Sequence, residues 1–153
     1  MKNTIPIAPG TAPGDLPKEA LAALAAQAVG ARQAAHCPYS GIAVGAALLC
    51  SDGSVYTGAN IENAAFSPSV CAERVAIFTA VHDGHRDPIA IAIAGGAKDK
   101  APRGAFPPCG VCRQVMAEFF PADALILLAD AEGYETRQFR DILPDGFGPA
   151  FLL

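Results

Sequence analysis

The sequence predicts an α/β fold, a three-layer α/β/α sandwich around a mixed sheet of about five strands, and three features carry that expectation. Segments of helical period alternate with short apolar runs in the order α, β, β, α, β, α, β, with room for a final strand. The runs 89–94 and 125–129 are apolar at almost every position, as expected of strands covered on both faces. At 153 residues with 52% hydrophobic side chains, the chain has enough apolar surface for one real core.

Taken in order, residues 1–14 carry Pro6, Pro9, Gly10, Pro13 and Gly14, a composition that predicts a loose arm outside the fold. A single domain over 15–153 is expected to follow. Asp15 is positioned to cap a helix with Pro17 in its first turn, and Leu16, Ala20, Leu24, Ala28 and Ala31 recur at helical spacing toward Ala35. After the turn from Cys37 to Gly41, the stretches 42–49 and 55–59 flank Ser51-Asp52-Gly53-Ser54, which reads as a β-hairpin. A second helix is expected from about Val70 to a stop at Gly84. The strand 89–94 is closed by Gly95-Gly96. A third helix begins around Pro108 and Cys109 and ends at Pro121; the strand 125–129 follows, and Glu132-Gly133 turns the chain toward Thr136 and Phe139.

A net charge of −4 and a pI of about 5.2 leave no basic stripe for a phosphate backbone, so a polymeric nucleic-acid partner is not expected. No charged-then-apolar leader opens the sequence and no apolar run approaches the roughly 18 residues of a membrane span. With an odd count of five cysteines, these features suggest a reducing cytoplasm, where clustered cysteines serve as metal ligands or redox groups.

The cysteines cluster in two motifs, Cys71-Ala72-Glu73 and Pro108-Cys109-Gly110-Val111-Cys112, each at the start of an expected helix. A helix N-terminus offers free N–H groups and the positive end of the macrodipole, both of which favour thiolate over thiol. Cys71, Cys109 and Cys112 are therefore candidate ligands for one Zn²⁺ per chain. Three protein ligands leave a fourth position for water, the arrangement of catalytic rather than structural zinc. Glu73, two residues from a ligand, is the candidate proton carrier. Three thiolates give the ion a formal charge of −1, and a guanidinium on a ligand sulfur would offset it; Arg74 is preferred to Arg113 for that role.

Two other readings stay open at this stage. Cys109-Gly110-Val111-Cys112 also suits thiol-disulfide exchange. A structural zinc site would need a fourth ligand from Cys37, Cys50, His36, His82 or His85. Cys50 ends an apolar strand and reads as a packed core thiol, Cys37 reads as part of a turn, and no histidine is given a catalytic role.

Cys71-Ala72-Glu73-Arg74 and Pro108-Cys109-Gly110-Val111-Cys112-Arg113-Gln114 occur together with Asn60-Ile61-Glu62-Asn63 and with Pro38-Tyr39-Ser40 ahead of Val44-Gly45-Ala46-Ala47-Leu48. In these motifs the sequence resembles the small, homotetrameric class of zinc-dependent cytidine deaminases, over roughly residues 15–147. The resemblance implies hydrolytic attack at C4 of a cytosine nucleoside, with Glu73 protonating ring N3 and then the departing amine. It implies that Asn60 and Glu62 hold the ribose hydroxyls, a role an amide and a carboxylate suit. It implies an apolar wall at Ile42 and an aromatic ring, Phe147, supplied to the pyrimidine of a neighbouring subunit. Ile42 stands where the family commonly has phenylalanine, and Phe66 where it commonly has tyrosine. The expected substrates are cytidine and 2′-deoxycytidine, in pyrimidine salvage; the rival substrate is another cytosine nucleoside such as blasticidin S.

Overall fold

The computed structural model describes residues 2–153. Its elements are β1 (Lys2–Thr4), α1 (Lys18–Ala31), β2 (Ile42–Cys50), β3 (Ser54–Ala59), α2 (Ala72–His82), β4 (Pro88–Ala97), α3 (Gly110–Phe119), β5 (Leu125–Ala129), β6 (Tyr134–Gln138) and a short α4 (Phe139–Ile142). One six-stranded mixed sheet runs in the order β1-β3-β2-β4-β5-β6, with β4 and β5 parallel and the other pairs antiparallel. The expected three layers are present. Alternate residues of each central strand enter different cores: Val44, Ala46, Leu48, Ile91, Ile93 and Ile126 face α2 and α3, whereas Ala47, Leu49, Ala90, Ala92 and Leu127 face α1.

This topology decides where the cysteine motifs meet. β3 and β4 are each antiparallel to β2, so they point the same way and their C-terminal ends share one end of the sheet. α2 follows β3 and α3 follows β4, so both helices begin at that end, the usual location of binding sites in open α/β sheets. Close packing draws α2 in further. A Cβ on Gly58 of β3 would meet the carbonyl oxygen of Ala72 and the nitrogen of Ala76, so only glycine lets the first turn of α2 lie directly on the strand.

Three expectations need correction. Within the expected arm, residues 2–5 belong to the fold: residues 2–4 pair with β3 in the register Lys2↔Tyr56, Asn3↔Val55 and Thr4↔Ser54, and Ile5 is buried against α1. Main-chain pairing and one apolar anchor suffice to fix this segment despite the prolines; Met1 lies outside the described residues. The sheet accordingly has six strands. Asp15 does not cap α1; it closes a 3-10 turn (Pro13–Asp15), and Pro17 holds the cap position, consistent with its fixed φ. Gly95 and Gly96 do not end β4, which continues to Ala97 with the Phe106 ring packed over Gly95.

Candidate metal centre

Cys71 is the N-cap of α2 and Cys109 the N-cap of α3, both in extended backbone conformation, and Cys112 lies in the first turn of α3. The three Sγ atoms lie within 4.8 Å of one another, with Cys71 and Cys109 3.8 Å apart. Among the described residues this is the sole His/Cys/Asp/Glu group arranged to hold a metal ion. Cys112 is buried, Cys71 half-buried and Cys109 exposed, so the group opens to solvent on one side.

Hydrogen bonding from Cys112, aided by Arg74 and Cys109, brings the Cys71 thiol down to about 5 against the opposing effect of burial. Cys112 is pushed up in turn, by that same bond and by burial. Soft sulfur donors at this mutual distance suit Zn²⁺, whose binding favours their thiolate forms. The donor set fits that ion and leaves its fourth position open.

Arg74 donates from Nη2 to the Cys71 sulfur at 3.4 Å, which places a cation beside that sulfur. Arg113 goes elsewhere. Its Nε donates to the Pro108 carbonyl at 2.8 Å and its Nη1 to the Ile142 carbonyl at 2.7 Å, which ties the approach to Cys109 onto α4.

Glu73, in the first turn of α2, is 3% exposed and its Oε2 has no hydrogen-bond partner. Burial pushes its carboxyl up to about 7, with the Cys71 thiolate adding to the effect. A buried carboxylate oxygen without a partner costs on the order of 1–3 kcal/mol or more. Such a group marks a place where function outweighs stability.

Asn60 and Glu62 join this end of the sheet through an isolated bridge in which Ile61 and Val70 exchange both backbone hydrogen bonds at 3.0 Å. The bridge seats Asn60 and Glu62 beside the residue that precedes Cys71. Asn60 Oδ1 accepts from the Val44 N–H at 2.8 Å and its Nδ2 donates to the Ile42 carbonyl at 2.9 Å. One amide N–H and one lone pair remain uncommitted. Glu62 Oε2 accepts from the N–H groups of Tyr39 at 2.9 Å and Ser40 at 3.2 Å, and its carboxyl lies below the usual range because Ser40 and these backbone donors stabilise the anion. It lines a cavity of about 440 Å³ with Tyr39, Ser40, Phe66 and Ser69.

Ile42 opens β2 and is partly exposed. Phe147 is 55% exposed, stacked on Phe151 with ring centroids 5.5 Å apart, and its carbonyl accepts from Gln114 Nε2 at 2.9 Å. Gln114 thus links the Cys112 helix to the Phe147 loop, a role motif spacing alone does not reveal. Phe66, at φ 60°, meets Tyr39 edge-on with centroids 5.9 Å apart.

None of the candidate fourth ligands joins the sulfur group. Cys37 and Cys50 are buried, and Cys50 is pushed up to about 12 by burial together with Asp87 and Asp52. His85 bonds Tyr56 Oη at 2.9 Å and Asp52 at 3.0 Å. His36 holds Asn60 and Glu62 through its backbone, and His82 ends α2. The structural-zinc reading lacks its fourth ligand among the described residues, and an isolated Cys109–Cys112 redox pair leaves the third sulfur and the buried acid unexplained.

Residues 18–128 match the family model described as the cytidine and deoxycytidylate deaminase zinc-binding region. The chain is 47% identical over 122 residues to the cytidine deaminase of Halalkalibacterium halodurans, covering 79% of this chain and 89% of that protein. It is 43% identical over 125 residues to that of Sporosarcina psychrophila, covering 81% and 88%. The crystal structure of cytidine deaminase from Burkholderia pseudomallei superposes with a TM-score of 0.74 at 38% identity, covering 86% of this chain and all of that one. A zinc-compatible sulfur triad, the buried acid beside it and these matches assign the chain to the zinc-binding cytidine and deoxycytidylate deaminase family.

Proposed function

We propose that this protein catalyses zinc-dependent hydrolytic deamination of cytidine and 2′-deoxycytidine, releasing ammonia and leaving uridine or 2′-deoxyuridine. The observation that carries the reading is the meeting of three cysteine sulfurs within 4.8 Å at two helix N-termini, with Glu73 buried in the same first turn and its Oε2 unpaired. The relatives named above, all cytidine deaminases, support the choice of substrate.

Cys71, Cys109 and Cys112 would hold the zinc, which would supply Lewis acidity toward water near neutral pH. Glu73 takes one proton from the attacking water and gives it to ring N3 as the oxygen adds to C4; it then takes the proton of the new C4 hydroxyl and gives it to the amine, which leaves as ammonia. Its burial raises the carboxyl above the usual carboxylate range, which suits a group that both takes and returns a proton. Arg74 offsets the charge of the thiolates. Asn60 and Glu62 receive the ribose hydroxyls, an arrangement that accepts a free nucleoside and disfavours a phosphate beside Glu62. Ile42 forms an apolar wall.

Phe147 completes the site of a neighbouring subunit in a homotetramer, and its exposed ring supports that role. No helix among the described residues is long and apolar enough to cross a membrane. We assign the enzyme to cytoplasmic pyrimidine salvage, acting on free nucleosides rather than polymers.

The test is a substrate panel followed by ammonia release. Cytidine and 2′-deoxycytidine are turned over by protein carrying about one zinc per chain; zinc-loaded protein inert toward both refutes the assignment. Co-assembly of Phe147→Ala with Glu73→Gln subunits recovers activity if sites are shared, because some interfaces then hold both intact residues. Absence of recovery in verified mixed oligomers refutes the shared site.

A further inference from the structure

Arg32, in the 3-10 turn that continues α1 (Arg32–Ala34), is 8% exposed. Among the described residues no carboxylate forms an ion pair with it. Its guanidinium donates instead to four backbone carbonyls: Nε to Ala43 at 3.0 Å, Nη1 to Lys100 at 3.2 Å, and Nη2 to Gly96 at 3.2 Å and Ala97 at 2.9 Å. Four of five N–H donors are thereby used. A buried cation compensated by carbonyl dipoles alone is a costly way to join two strands that already pair with each other.

The location gives this arrangement its meaning. Ala43 lies near the start of β2, and Gly96 and Ala97 at the end of antiparallel β4, so the guanidinium spans the end of the sheet from which α2 and α3 begin. The segment it grips from the α1 face is gripped a second time by Asn60, which donates to the Ile42 carbonyl and accepts from the Val44 N–H. Residues 42–44 are thus fixed by alternating bonds, Asn60 on 42 and 44 and Arg32 on 43. The Lys98 N–H adds a bond to the Gly41 carbonyl at 2.9 Å, tying the loop after β4 to the turn before β2. Gly45 makes the approach of Arg32 feasible: a Cβ there would meet the Ala28 carbonyl and the Arg32 nitrogen.

We propose that Arg32 is a positioning residue for nucleoside recognition: its carbonyl-held guanidinium fixes residues 42–44, and these hold the Asn60 amide in the orientation that reads the sugar. The inference rests on the assignment of Asn60 as a ribose ligand made above. Arg32 has no hydrogen bond to Asn60 or to any of the three cysteines, so its effect reaches the substrate through the backbone it holds, which for Asn60 is residues 42–44. The planar fork is essential to this role, because a lysine has a single nitrogen and cannot span acceptors on two strands and a loop.

The experiment compares Arg32→Met and Arg32→Lys with the parent enzyme on cytidine and on 2′,3′-dideoxycytidine, with zinc content and melting temperature recorded for each. For cytidine, KM rises roughly ten- to a hundredfold in Arg32→Met, the range expected of an ångström-scale misplacement, while kcat stays within about threefold. Arg32→Lys recovers only part of the loss. For the dideoxy substrate, which lacks the hydroxyls to be read, parent and variant kcat/KM agree within about threefold. Equal losses on both substrates, or a fall in kcat with KM unchanged, overturn the proposal in favour of a purely structural Arg32.

If Arg32→Met does not fold, hydrogen exchange in Arg32→Lys decides. The Val44 amide exchanges at least about tenfold faster than in the parent while the core amide of Leu127 is unchanged; equal Val44 protection overturns the proposal. A parent enzyme inert toward cytidine is the separate failure of the substrate assignment, and the Val44 readout remains informative there.

Discussion

Replacing Glu73 by glutamine separates chemistry from stability, because the structure gives the two effects opposite signs. The side chain is 3% exposed and one carboxyl oxygen is unpaired, so the ionised form is held in a place that penalises charge. Glutamine keeps the shape and removes the charge. Stability therefore stays level or rises, and thermal unfolding of the zinc-loaded variant shows a melting temperature no lower than the parent's. Activity falls steeply. A positioned acid-base group contributes about 10²–10⁴ in rate, or roughly 2.7–5.5 kcal/mol of barrier, and the proposed mechanism asks Glu73 for two successive transfers. Ammonia release under saturating cytidine then drops by at least about a hundredfold, while metal analysis still finds about one zinc per chain, since Glu73 lies outside the group of three sulfurs. A variant that retains more than about a tenth of parental kcat removes Glu73 from the proton path. One that loses its zinc shows that Glu73 supports the metal instead.

Arg74→Gln removes the donor to Cys71 Sγ while leaving all three sulfurs, and lowers zinc affinity or kcat by about 10- to 100-fold, measured by chelator competition and steady-state kinetics. Glu62 is held below the usual carboxylate range, so it remains charged as pH falls and gains a proton only below its ordinary value of 4.5. KM for cytidine is accordingly independent of any Glu62 titration from neutral pH to that point and rises beneath it; a KM that climbs between pH 7 and 6 and is flattened in Glu62→Gln refutes this. Ile5→Ala, in the segment that pairs with β3, costs about 2–4 kcal/mol in urea unfolding because the side chain is buried against α1, with kcat unchanged; a neutral effect would show that the segment is not anchored.

Local chemistry was legible wherever it is encoded by neighbouring residues. The hairpin from β2 to β3 follows from Asp52 and Gly53, whose turn the structure closes with an Asp52 carboxylate bond to the Ser54 N–H at 2.8 Å. The strand over 125–129 has the extent its apolar run predicts, and both cysteine motifs begin helices. What the sequence conceals depends on partners distant along the chain. The strand at residues 2–4 is hidden by the prolines after it, and its partner lies around Tyr56. Gly95 and Gly96 look like a strand end, yet Phe106 fills the space above Gly95 and the strand continues to Ala97. Arg32 left no trace in the motif analysis because its partners are carbonyl oxygens, which every residue carries. A lone arginine ending an alanine-rich helix, with no acid at helical spacing, is the one signal that could have singled it out.

The same dependence on topology explains why two cysteine motifs separated by 38 positions make one site. Three thiolates and an ionised Glu73 around a divalent ion would leave about two negative charges in a partly buried place, a cost that side chains alone offset poorly. Two helix N-termini contribute roughly half a positive charge each, and Arg74 adds one more, so the surroundings nearly balance the site. That compensation requires both helices to start at one end of the sheet, and the antiparallel placement of β2 between β3 and β4 secures it. Either motif on a helix starting at the opposite end would face the negative pole of its partner. The sheet order is therefore part of the electrostatics of the metal centre, and a circular permutation that preserves the order should preserve zinc binding even though it changes the sequence separation of the motifs.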